Sequence, residues 1–247
     1  MQLREGIIVK SQKYQENSKI ITLVNTEGLE TFLVRGASLH KSRNFSYSQE
    51  LTKIGYDFHS GRNSFNILTT GKVIESYGGI KADFNKLNDA LLIIEATNQL
   101  GIHLSDFSTF YQFLDEILLL LDLNLYHPYY LLIFRVKILY LLGIGPVFSK
   151  CVECGNRDNL IGFDFLKGGM KCNECDNKNT IYYNQEVIQL LRFLYLNKLE
   201  SLSTEVLEKL PNHYLEASKF LDRYYEHFLG YQSRASKIIK KMKLSEN

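Results

Sequence analysis

Cys151, Cys154, Cys172 and Cys175 are the four cysteines of the chain, and their spacing limits its fold more than any other feature. Each pair is a Cys-x2-Cys knuckle, and 17 residues separate the two knuckles. A knuckle turns two thiolates the same way, so two knuckles complete a tetrahedron around one zinc ion. Gly155, directly behind Cys154, lets backbone amides turn toward the sulfurs without a Cβ in the way. Residues 160–165 and 168–171 read as two short strands and a turn, the frame of a zinc ribbon. Four thiolates leave no coordination position for water, so zinc held here is structural. The competing readings are two redox pairs or four free buried thiols. A redox pair sits at a strand-to-helix turn in a thioredoxin-like unit, and no such unit is visible.

The ribbon lies inside a longer pattern. Residues 1–80 read as β structure: 7–9, 20–24, 29–34, 51–58 and the 65–74 stretch are strand-like, with turns at 25–28 and 60–63. Ile54, Tyr56 and Phe58 alternate with Lys53, Gly55 and Asp57, which predicts a strand with one buried face. Five short strands in this length suggest a small closed barrel. Residues 36–47 read as a polar loop carrying His40, Lys41 and Arg43.

From residue 81 the period becomes helical. Residues 89–100 and 108–121 are candidates, the second placing Phe110, Phe113, Leu114, Ile117, Leu118 and Leu121 along one face. Pro128 suits a first helical position and Gly143 an end, and the segment between is apolar nearly all round, as the centre of a bundle is. Asn184 is an expected N-cap for a helix to about 196, and a last helix runs from near Pro211 to Gly230. The expected class is α+β. It comprises an N-terminal barrel over 1–80, a helical domain formed by 81–146 and 184–247, and the cysteine segment, 147–183, inserted in that domain.

Charge is unevenly distributed although the net charge is only +2. Residues 1–80 carry +3, residues 83–130 carry −6, and residues 219–243 carry +5. Such a chain can hold a polyanion on one surface and repel it from another, although each block can also be a solvated face. The apolar stretch 129–144 has 16 residues interrupted by Arg135 and Lys137, short of the roughly 20 that span a bilayer. No secretory signal opens the sequence. A cytoplasmic, nucleoid-associated location without membrane partners is therefore expected.

The chain contains neither phosphate-binding glycine motif and no G-x-S-x-G or H-E-x-x-H. Its six histidines are scattered, and each is expected at the surface or at a cap. Asp115 and Glu116 diverge on a helix and are expected to face solvent, while Asp106 and Asp122 are expected to be structural. No catalytic constellation emerges, and a non-enzymatic role is expected. The barrel's cations are more suggestive. Lys10 and Lys13 flank the first strand, Arg35 ends the third, and Lys41 and Arg43 share a loop with Phe45 and Tyr47. Cations beside exposed aromatics follow a phosphate backbone and stack bases. Equally, Phe45 and Tyr47 can be core residues.

The order of these parts resembles the bacterial recombination mediator and DNA repair family RecO. The residues that carry the resemblance are Glu5-Gly-Ile-Ile-Val-Lys10, then Tyr14-x-Glu16-x-Ser18-Lys-Ile-Ile-Thr-Leu23, then Val34-Arg-Gly-Ala37 and Lys41-Ser-Arg43. Gly143-Ile-Gly-Pro146 followed by Cys-Val-Glu-Cys-Gly155, and His227-Phe-Leu-Gly230 with Ser233-Arg-Ala-Ser236, are similar to the family's later parts. The resemblance implies an OB-fold, a helical domain and a zinc segment. It further implies binding of single- and double-stranded DNA and annealing of complementary strands. RecR and the C-terminal tail of single-strand-binding protein are the implied partners in loading recombinase onto covered strands. Lys10, Lys13, Lys19, Arg35, Lys41 and Arg43 are the implied DNA contacts, with Arg234 and Lys237 of the tail second. Arg135 and Lys137 could edge a pocket for the single-strand-binding protein tail, or Arg135 could simply pair with an acid of the bundle. A zinc-stabilised interaction scaffold with no direct DNA role is the alternative from another class.

Overall fold

The N-terminal alternation folds as expected. The computed structural model describes residues 3–39, 41–61 and 65–231. In it β1 (Arg4–Tyr14), β2 (Ser18–Val24), β3 (Leu29–Val34), β4 (Thr52–His59) and β5 (Asn66–Glu75) close into a barrel in the order β1-β2-β3-β5-β4. β3 and β5 pair in parallel at Phe32↔Asn66 and Leu33↔Ile67, and the other neighbours are antiparallel. A five-stranded closed barrel in this order is the OB-fold arrangement. Ile21, Leu23, Phe32, Val34, Ile54 and Tyr56 fill its interior. The side chain of Asn25 turns the β2–β3 hairpin by accepting from the amides of Glu27 and Gly28.

The 36–47 segment is not simply a loop, because it contains a helical turn, α1 (Arg43–Ser46), capped by Ser42. Of its two aromatics, Tyr47 belongs to the barrel core, 6% exposed, with its ring laid across Gly71. Phe45 is half-buried beneath the ammonium of Lys19, 5.0 Å from the ring centre. The core reading therefore holds for Tyr47, whereas Phe45 lies beside a cation.

Three helices follow: α2 (Gly78–Ala82), α3 (Phe84–Leu100) and α4 (Phe107–Leu123). Most of the acidic block serves these helices and is not a solvated face. Asp83 and Asp106 cap α3 and α4, and Asp122 accepts from the amide of Ile80 at 2.7 Å. Asp115 corrects the expectation of a solvent-facing acid. Its turn of α4 meets β4, where the carboxylate pairs with Lys53 at 2.7 Å, only 19% exposed, and accepts from the Tyr77 hydroxyl.

The remaining chain begins with α5 (Tyr129–Leu141), whose residues from Tyr129 to Phe134 are all buried, as the all-round apolar pattern predicts. It ends before Gly143, whose φ of 74° is the left-handed conformation that terminates a helix. The cysteine segment forms β6 (Val147–Cys151), β7 (Leu160–Asp164), β8 (Gly169–Cys172) and β9 (Thr180–Ile181), ordered β6-β8-β7-β9. Asn184 caps α6 (Gln185–Leu196), then come α7 (Thr204–Glu208) and α8 (Tyr214–Leu229), with Gly230 left-handed at its end. The last helix starts three residues beyond Pro211. The ribbon packs on α8 through rings: Phe163, Phe165 and Phe148 lie 4.8, 5.3 and 5.9 Å from Phe220.

Arg135 pairs with Asp222 on α8 at 2.7 Å, and Lys137 donates to the carbonyls of Tyr195 and Asn197 at the end of α6. A cation there offsets the negative end of the helix dipole. Both side chains hold helices together, so Arg135 pairs with an acid of the bundle as the simpler expectation had it. The chain separates into two compact units, 1–124 and 125–247, so α2–α4 group with the barrel and the expected 81–146 segment is divided. Among the described residues no helix is long and apolar enough to cross a membrane.

Candidate nucleic-acid interface and metal centre

The β1–β2 ribbon sorts the predicted cations onto two faces. Residues directly opposed on an antiparallel ladder share a face, and neighbours along a strand alternate. Lys13 is opposed to Lys19, and Ser11 to the core residue Ile21, so both lysines lie on the inward series where the barrel opens. Lys10 follows the outward series, with Gln12 and Tyr14. Two like charges opposed on a ladder repel, and the ammonium of Lys19 is also partly desolvated, which lowers its pKa against the opposing pull of Glu50.

The segment carrying Lys41 and Arg43 is tied over this opening. The Ser38 amide donates to Asn17 O and the Ser38 hydroxyl to Ser18 O. Ser11 Oγ donates to Ser48 O, and Asn44 Nδ2 donates to Arg35 O. Lys13, Lys19, Arg35, Lys41 and Arg43 thus gather around one end of the barrel, with Lys10 farther along on the outer face. None of these six forms an ion pair with a carboxylate among the described residues, unlike Arg4 with Glu27 and Lys53 with Asp115. Arg234 and Lys237 lie outside the described residues.

Beside this cluster lies a groove of about 870 Å³ on the outer face, lined among the described residues by the ends of β1 to β5. Its floor is Leu33 and Ile67, cross-strand partners at the parallel seam. Tyr14 and Phe65 wall it, ring centres 6.2 Å apart and inclined at 63°. Arg35 and His59 bring positive or protonatable groups to it, and Gln15, Ser18 and Ser60 bring polar ones. Of the groove residues only Arg35 is a contact predicted from the sequence. The others come from strand ends distant in sequence, and the β3–β5 pairing brings them together. A signal exists in part: Phe65 lies just beyond the turn read at 60–63, whereas no turn is read beside Tyr14.

The four cysteines converge. Their Sγ atoms all lie within 4.8 Å of one another, Cys154 and Cys172 at 3.6 Å. A tetrahedron with Zn–S bonds of about 2.3 Å has S···S edges of about 3.8 Å, so the four sulfurs lie within about 1 Å of that arrangement. The first knuckle is built as expected: Gly155, at φ 78°, donates to Cys151 O, and the Glu153 amide points at Cys151 Sγ at 3.4 Å. Burial opposes ionisation of Cys151, but amides of Cys154, Cys172 and Glu153 directed at its sulfur bring it down to about 6. Hydrogen bonding with Cys154 pushes Cys175 up to about 12. Four such close sulfurs ionise together only around a cation. Beneath them the fully buried Lys171 meets Glu153 at 2.6 Å and Asp164 at 3.8 Å, which bridges the first knuckle to β7.

Comparison with known proteins agrees over the whole length. Residues 1–77 match the family described as "Recombination protein O N terminal", and residues 90–237 match "Recombination protein O C terminal". A protein of Listeria monocytogenes serotype 4a named "DNA repair protein RecO" is 28% identical, covering 100% of this chain and 97% of its own. Proteins of the same name from Halalkalibacterium halodurans and Syntrophomonas wolfei are 25% and 26% identical, over 95% and 78% of this chain and 92% and 78% of theirs.

Proposed function

Because the chain belongs to the recombination protein O family, we propose that it is a non-enzymatic, DNA-binding recombination mediator of DNA repair. In this reading it anneals complementary strands and helps load recombinase onto single strands covered by single-strand-binding protein, with RecR as a further partner. The observation that carries the DNA-binding part is the gathering of Lys13, Lys19, Arg35, Lys41 and Arg43 around one barrel end, where none forms an ion pair with a carboxylate among the described residues although Glu50 lies near enough to act on Lys19. A phosphate between Lys13 and Lys19 relieves their mutual repulsion, and neutralised phosphates reduce the repulsion between two strands being paired. Each contact also releases counterions, so binding weakens with salt.

The cysteine set supports one structural zinc. Cys151, Cys154, Cys172 and Cys175 would hold it, and the ion would fix the two knuckles against each other with no position left for a reacting water. The other partners are carried by family membership alone. Arg135 and Lys137 are engaged within the bundle, with Asp222 and with the carbonyl of Tyr195.

The test is annealing of complementary oligonucleotides coated with single-strand-binding protein, without ATP and over a range of salt. Acceleration that fades with salt supports the reading. Lys41→Glu with Arg43→Glu is expected to weaken DNA binding about tenfold at low salt and reduce the salt slope by about 2. An unchanged double variant removes that segment from the interface. No binding at low salt leaves the interaction-scaffold alternative.

A further inference from the structure

We infer that Glu153, held between Lys167 and Lys171, is a positioning residue of the cysteine site and sets how tightly the metal is bound. The inference rests on the zinc reading and adds to it a group that is not itself a ligand.

Few backbone ties hold the first knuckle to the rest of the ribbon. β6 meets β8 at two register pairs, Val147↔Gly169 and Cys151↔Met170, and beyond Cys151 the Val152 amide donates to Met170 O at 2.9 Å. The second knuckle follows β8 directly, since Cys172 is the last residue of that strand. Keeping the two halves of the sulfur set in register is therefore largely a matter of side chains.

Glu153 supplies that tie from inside the first knuckle. Its carboxylate meets the ammonium of Lys171 at 2.6 Å and that of Lys167 at 2.6 and 2.7 Å, and both lysines belong to the β7–β8 hairpin. Its amide points at Cys151 Sγ at 3.4 Å, so anchoring the side chain also aims a backbone donor at a sulfur. A donor directed at a thiolate favours the charged form, which is the form that binds metal.

Lys171 is costly where it stands. Its side chain is 1% exposed, and a buried ammonium is tolerated only when paired and hydrogen-bonded. Asp164, equally buried, lies 3.8 Å from it and is itself fixed by the amides of Leu166 and Lys167. Cys151 lies near enough to favour the ammonium electrostatically. Four thiolates around a dication leave an excess of negative charge, and a cation held beneath them offsets part of it away from water. The Glu153–Lys171 pair thus anchors the first knuckle and stabilises the filled site. Lys167, 49% exposed, adds a screened contact of smaller weight.

The test uses the full chain with Co2+, whose absorption bands report tetrahedral thiolate ligation, and competition between zinc and a chelator to read affinity. Glu153→Ala is expected to keep one metal per chain and the wild-type bands, yet hold the ion about tenfold more weakly. That variant leaves the buried ammonium without its nearest partner, so Glu153→Ala with Lys171→Met removes the charge as well. The double variant is expected to bind metal at least as weakly as Glu153→Ala, because the tie is missing from both. Wild-type affinity in Glu153→Ala, or its recovery in the double variant, overturns the positioning role and leaves the four-sulfur site standing. A wild-type chain that takes up neither zinc nor cobalt overturns the zinc reading and the inference with it.

Discussion

At Gly71 the barrel has no room for a side chain. An added Cβ would lie 2.4 Å from the ring of Tyr47, which is buried against this stretch of β5. Gly71→Ala is therefore expected to lower unfolding free energy by about 1–3 kcal/mol in urea denaturation, the usual result of overpacking a core. A wild-type midpoint would mean that the ring can swing aside. At this scale the sequence is informative wherever residue type states the chemistry. The four cysteines announce a metal-compatible cluster without help from the fold, as their convergence bears out. It is silent where a role depends on a distant neighbour. Nothing in the residues around Asp115 shows that Lys53 will face it, and nothing around Tyr14 shows that Phe65 will.

Among the elements, the ribbon depends on something outside its own core. β8 and β9 are four and two residues long, too short to hold a sheet together without the knuckles and the rings packed against α8. Cys172→Ala should reduce bound zinc from one per chain, read by elemental analysis, and expose amides across 147–183 to hydrogen exchange while those of β1–β5 stay protected. One zinc per chain retained by the variant would refute the four-sulfur assignment. Helices with an apolar stripe and a capping residue are legible in the sequence, as α4, α6 and Asn184 illustrate. The short α1, α2 and α7, four or five residues each, are not, since fewer than two turns leave no measurable period. Pro211 is a plausible first-turn residue and so places the start of the last helix too early. The chain instead turns once more before His213.

Across the whole molecule, buried tyrosines link stability to alkaline pH. Burial pushes up the pKa of Tyr56, Tyr77 and Tyr111 in one unit and of Tyr140, Tyr224 and Tyr225 in the other. A phenol that holds its proton more tightly folded than unfolded contributes stability below the unfolded value near 10, and that contribution is lost as pH rises above it. Each such phenol removes about 1.4 kcal/mol per pH unit above about pH 10. The unfolding temperature is expected to drop steeply from pH 10 to 11, with exposed tyrosines such as Tyr182 ionising in the folded chain and a further step of tyrosinate absorbance appearing only as it unfolds. Full ionisation of all 16 tyrosines ahead of unfolding would show the buried hydroxyls open to solvent. The division at 124/125 is not legible in the sequence, because a helix's preference for the barrel or the bundle is decided by packing and leaves no trace in its own period. The barrel's closure carries a mechanical consequence. β1 and β4 are joined through five residue pairs but β3 and β5 through two, and the shorter seam links strands far apart in the chain. Local opening follows the least-bonded boundary, so this barrel breathes first along β3 and β5. Leu33 and Ile67, one on each lip of that crack, are also the floor of the groove. Whatever packs on Leu33 and Ile67 therefore also sets how readily the barrel opens.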